Sequence, residues 1–196
     1  MDKFFNSTFD ALTNVVPGSV IIAIIILFDP SLATIDDVIA KLNEIKFGSA
    51  TILVFISYVL GFIISPIGKL LYQKIGFKIW PMTADKGPYI SISDKFILVR
   101  EYSPSNFKYI ESWNMFCNLS HNLAVGMLVL FVASVLRLIL VDGASIKVFG
   151  VIALIAIIAF FILLKRAVVF RIWAMNDLNA AIDRLELVQK AEQGKS

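Results

Sequence analysis

Residues 147–164 read KVFGVIALIAIIAFFILL, a run broken by no charge after its first lysine and closed by Lys165-Arg166. About 20 apolar residues in helical form match the hydrocarbon thickness of a bilayer, so this segment reads as a transmembrane helix with a basic anchor at one end. Three more stretches of the same kind lie at residues 11–28, 48–65 and 122–141. Together they predict an all-α polytopic membrane protein with four transmembrane helices. The composition agrees: 58% of the 196 residues are hydrophobic and only 17% charged, which is too apolar for a soluble domain of this size.

The positive charges set an orientation. Fourteen of the 18 Lys and Arg fall before the first stretch, between the second and third, or after the fourth; of the other four, Lys41 and Lys46 lie in the first loop and Arg137 and Lys147 at the hairpin of the last two stretches. The positive-inside rule then places both termini and the long middle segment in the cytoplasm. The formal charge of +3 is explained by these flanking residues, so no direct nucleic-acid binding is expected. Cys117 is the single cysteine and forbids an intrachain disulfide. A cleaved signal peptide is not expected, because the region before Ile21–Phe28 carries Lys3 against Asp2 and Asp10 and contains Pro17-Gly18.

Along the chain, Phe4, Phe5, Phe9 and Leu12 recur near helical spacing, which predicts an interfacial amphipathic helix over residues 1–14. Residues 15–76 hold the first two spans and an outer loop, with a kink at Pro17-Gly18 and a short outer helix capped near Thr34–Asp37. Within 77–103, Tyr89–Ser93 alternates and Phe96–Val99 forms a short apolar run, so one or two strands are expected in a small cytoplasmic insertion. Ser103-Pro104 starts a helix with no strong breaker until Asp142-Gly143, making 104–141 far longer than a bilayer requires. Residues 145–192 likewise continue past Lys165-Arg166 without Gly or Pro. Helices three and four are therefore expected to extend into the cytoplasm.

Candidate functional residues are few. Ser57, Gly61 and Ser65 put small side chains on one face, a seam for close packing either within the chain or between subunits. Arg137 is the one charge deep in a span; it either snorkels and pairs with Asp142 or lines an oligomeric pore that favours anions. Tyr109, Trp113 and Phe116 on the third helix, and Met175, Leu178, Ile182 and Leu185 on the fourth, form an inward-side interaction face, whose partner is either the other helix or another chain. His121 has no second histidine with which to hold a metal, and no catalytic, nucleotide or cofactor motif is present. No cofactor and no enzymatic activity are expected.

The Asp10-to-Gly18 entry and the Ser103-Pro104 start of an over-long third helix resemble the small four-span membrane proteins of bacterial anti-phage defence loci, the membrane subunit of Kiwa-type systems among them. That resemblance covers the layout of most of the chain and carries over no functional residue. It implies a homo-oligomer in the inner membrane that works with a cytoplasmic protein partner. The competing expectation from the residues alone is an ion-conducting pore that depolarises the membrane.

Overall fold

The computed structural model of the chain describes residues 2–27, 40, 43, 47–81, 90–141 and 145–193. Helix α1 covers Asp2–Leu27. Helix α2 covers Phe47–Leu71 and is prolonged by a π-helical turn at Tyr72–Gly76 and a last turn at Phe77–Ile79. Then follow α3 (Ile92–Tyr102), α4 (Pro104–Leu140), α5 (Ile146–Arg184) and α6 (Leu187–Gln193). There is no strand among the described residues.

Three helical stretches, Gly48–Ile79, Pro104–Leu140 and Ile146–Arg184, are long and apolar enough to cross a membrane. In α1 the apolar part, Ala11–Ile26, is shorter. Its 16 residues rise about 24 Å against a hydrocarbon core of about 30 Å, so length alone does not make it a fourth span. The amphipathic segment expected over residues 1–14 is not a separate element: α1 runs through it and on past Pro17. The expected outer helix near Thr34–Asp37, and Asp142, lie outside the described residues.

Large apolar side chains stand on the outside of these long helices. Phe55, Phe62 and Ile63 on α2, Ile139 and Leu140 on α4, and Leu154, Ile155 and Ile162 on α5 are all more than half exposed. A surface of that kind is stable only where the surroundings are apolar, and it marks the chain as a helical membrane protein. Helix α4 is central and packs against α1, α2 and α5; α1 also packs on α2.

Beyond this apolar zone, α4 and α5 continue together into a second core. Val99 of α3, Ile110 of α4, Leu178 and Ile182 of α5 and Leu187 of α6 are almost completely buried in one cluster. Each such side chain contributes roughly 1.5–3 kcal/mol by leaving water. This four-helix unit is called the head below.

The strands expected at Tyr89–Ser93 and Phe96–Val99 are replaced by α3; Tyr89 itself lies outside the described residues. The local reason is a cap. Ser91 is extended, and its Oγ accepts from the Asp94 backbone N–H at 3.1 Å, satisfying a first-turn donor. Lys95 and Val99 then fall four residues apart on the face buried against the head. The turn to α6 is made at Glu186, whose φ of 51° is left-handed for a residue with a side chain. It reverses the chain so that Leu187 returns to the core.

Candidate functional site

Among the glycines of the described residues, the tightest surroundings are where α1 meets α2. A Cβ added at Gly18 would collide with the Ser57 carbonyl, and one added at Gly61 would collide with the Asn14 carbonyl. Backbone therefore rests on backbone, as small residues allow in apolar surroundings where dispersion must hold helices together. Ser57 is buried and donates its Oγ–H to the Leu53 carbonyl at 2.8 Å, so it carries no unmet donor into the contact. Ser65, the third residue of the seam, is half-buried. The Ser57 and Gly61 positions thus meet α1 of the same chain.

Proline explains the polar residues beside that contact. Pro17 has no N–H to give the Thr13 carbonyl one turn earlier. An unmet carbonyl in an apolar layer is costly. Asn122 of α4 donates its Nδ2 to that carbonyl at 3.3 Å, and it is only 1% exposed. Asn122 is therefore a built-in cap for a proline break on another helix. Next to it, His121 stacks on Tyr72 of the π-helical turn, with ring centroids 5.2 Å apart and planes 6° from parallel, and its Nε2 lies 3.3 Å from Asn118 Oδ1. Gly68 of α2 makes room here: a Cβ would come within 2.5 Å of His121 Nδ1. His121 serves as packing in a helix crossing. Among the described residues no three His, Cys, Asp or Glu side chains group as metal ligands.

Arg137 lies in the last turn of α4, 6% exposed, with its guanidinium carbon 4.7 Å from the centre of the Phe149 ring on α5. The contact is a cation–π pair, which gains strength where water is excluded. Its guanidinium is turned into the α4–α5 contact of its own chain.

The inward-side interaction face is divided by the structure. Met175, Leu178 and Ile182 are buried in the head, and Leu185 packs against it half-buried. Trp113 is held by an aromatic group: it stacks on Phe170 at 5.8 Å, meets Trp173 edge-on at 4.9 Å, and touches Tyr109 and Phe116. Its indole N–H donates to Asp177 Oδ2 at 2.9 Å. Tyr109 is 56% exposed and borders an open groove of about 240 Å³ with Asn106, Asp177 and Arg184. Met175, Leu178, Ile182 and Leu185 thus find their partners in α3, α4 and α6, while Tyr109 and Trp173 remain outward.

Two features of the site escape the sequence. Lys95 is 6% exposed and donates its Nζ to Asn179 Oδ1 at 2.7 Å, a bond between positions 84 residues apart. The spacing Lys95–Val99, read as a helix, was the available signal. Asn122 is visible as a polar residue at the start of an apolar run, but its purpose depends on Pro17 lying opposite. No protein-family model, curated protein or solved structure matches the chain.

Proposed function

We propose that the chain is a non-enzymatic, homo-oligomeric subunit of a bacterial inner membrane, which crosses the bilayer four times and holds a cytoplasmic protein partner on its head. The observation that carries this reading is the continuity of α4 and α5. They are 37 and 39 residues long, about 55 Å and 58 Å, so each reaches well past the bilayer core as an unbroken rod. Where they emerge, the head closes its own core and still leaves Ile92, Ile97, Tyr102, Tyr109 and Trp173 exposed. Aromatic and apolar residues on a polar, water-facing unit are the usual anchors of a protein contact.

Helix α1 serves as the fourth span in this reading. Gly18 lies against Ser57 and Asn14 against Gly61, so α1 is antiparallel to α2; carried along both helices, that register brings Asp2–Leu27 alongside residues 48–73. Thr13 lies against Asn122 and Val20 against Gly126, so α1 is parallel to α4. Helix directions therefore alternate through the bundle, which supports an even number of crossings and termini on one side. The distribution of Lys and Arg makes that side the cytoplasm. The resemblance of the sequence layout to membrane proteins of anti-phage loci makes phage infection the condition under which to look for the partner.

Photo-crosslinking in cells tests the proposal. A crosslinker at Tyr109, Ile97 or Trp173 is expected to capture one recurrent soluble protein, and a crosslinker at Phe55 to capture lipid or a second copy. Size measurement in a lipid nanodisc is expected to show more than one chain. A monomer whose head positions capture nothing would refute the proposal.

A further inference from the structure

One end of the bundle carries a concentration of exposed positive charge among the described residues. Helix α2 passes Lys69 and continues with Lys74 and Lys78, all exposed, alternating with exposed Leu70, Ile75 and Ile79. On α5 the exposed Lys165 and Arg166 follow the last apolar turn. The two groups lie at one level. A Cβ at Gly76 would stand 2.8 Å from Val168 and 3.7 Å from Leu164, and Tyr72, Leu164 and Val168 share one buried cluster against which Trp80 packs. No Asp or Glu occurs within residues 48–81, 112–141 or 146–176 of the three long helices. The register of α1 brings positions 2, 3 and 10, which are Asp, Lys and Asp, to this level, and the five cations Lys69, Lys74, Lys78, Lys165 and Arg166 leave it net positive. At the opposite end, Arg137 is buried on Phe149, and Lys147 is an exposed cation.

We infer that this belt is a binding surface for the phosphate headgroups of anionic phospholipids. The inference rests on the membrane reading above and adds the lipid class to it. Alternation of Lys with Ile along residues 69–79 suits a segment lying at the depth of the headgroups: the ammonium groups reach phosphate while Ile75 and Ile79 remain among the acyl chains. A zwitterionic headgroup offers each cation an adjacent positive charge as well as a phosphate, whereas an anionic one offers net attraction, so the belt discriminates by charge. The π-helical turn at Tyr72–Gly76 bears on this directly, since it forms the contact of α2 with α5 at the level of the belt. Lipid bound there sits against the joint between the bundle and the head.

The test uses the full chain in nanodiscs of phosphatidylcholine containing a minor fraction of phosphatidylglycerol, followed by mild delipidation and counting of retained lipids by native mass spectrometry. Wild type is expected to retain phosphatidylglycerol in preference to phosphatidylcholine, with the preference falling as salt rises. The Lys74→Gln/Lys78→Gln and Lys165→Gln/Arg166→Gln variants are each expected to lose retention by about fivefold per residue replaced, while Lys147→Gln retains the wild-type amount. Wild type alone decides the matter even if a variant folds poorly: equal retention of the two lipids would overturn the inference. So would full displacement of the lipid by millimolar inorganic phosphate, which would assign the belt to free phosphate. A head that captures no protein would leave this lipid preference standing, so the two proposals fail separately.

Discussion

The bundle and the head solve the same packing problem with opposite residues. In the bundle the closest contacts are made by Gly18, Gly61 and Ser57, with Thr13, Asn14 and Asn122 buried beside them, while Phe55, Phe62 and Leu154 face outward. In the head Val99, Ile110, Leu178 and Ile182 are inside, and Asp94, Arg100, Asp183 and Arg184 are outside. The two arrangements share α4 and α5 as continuous helices, so the change from one to the other happens along a single rod. What differs is the medium. In water, burying large apolar groups drives the helices together; in an apolar layer that gain vanishes, and close backbone approach with paired polar groups takes its place.

One substitution made in both regions gives the largest contrast. Leu178→Ala empties a fully buried site in the head and is expected to cost about 2–5 kcal/mol. It should be read as earlier proteolysis of the 90–110 and 170–193 segments with the bundle still extracted intact. Leu154→Ala, at a position 59% exposed on α5, is expected to leave thermal stability in detergent unchanged within about 0.5 kcal/mol. Equal losses at the two positions would break the comparison.

Next in size is the glycine pair. Gly61→Leu forces α1 away from α2 and is expected to cost about 1–3 kcal/mol, measured as a lowered unfolding temperature. Gly150→Leu, where the nearest foreign atom to an added Cβ is Ile146 at 3.9 Å, is expected to be neutral or stabilising.

The proline cap makes a sharper prediction because it is reversible. Asn122→Leu removes the Nδ2 donor from the Thr13 carbonyl and is expected to cost about 1–2 kcal/mol. Adding Pro17→Ala restores the helical N–H, so the double variant is expected to recover much of that loss. Additive costs in the thermal unfolding of the two single variants and the double would show that Asn122 has another purpose.

These particulars also mark what the sequence makes legible. The three long helices are read directly, because apolar runs and the absence of Gly or Pro in 151–184 state their extent. That α4 and α5 outrun the thickness of a bilayer follows from length alone. The strand expected at 96–99 is a helix instead because four consecutive apolar residues fit either period, and the Ser91–Asp94 cap just before them decides for the helix. The partners of Lys95, Thr13 and Trp113 are beyond reach for one reason: Asn179, Asn122 and Asp177 stand on other helices, 84, 109 and 64 residues away along the chain. Periodicity reports a helix's own faces and is silent about what lies opposite.

The smallest effect concerns the turn that closes the head. Glu186→Gly relieves a left-handed backbone at φ 51° and is expected to raise stability by less than about 1 kcal/mol, seen as slower proteolysis after α5. A loss of stability would show that the Glu186 side chain holds the turn.

The most direct test of the whole account is water accessibility on the two sides of a vesicle. In a Cys117→Ala background, single cysteines replace Phe62, Leu136 and Ile155 in the bundle and Arg100 and Asp183 in the head, and the protein is exposed to a membrane-impermeant maleimide. The account predicts no labelling at 62, 136 and 155, with rapid labelling at 100 and 183 in inside-out vesicles and none in right-side-out ones. Labelling of positions 100 and 183 from the outer face, or of 155 from either, would contradict it.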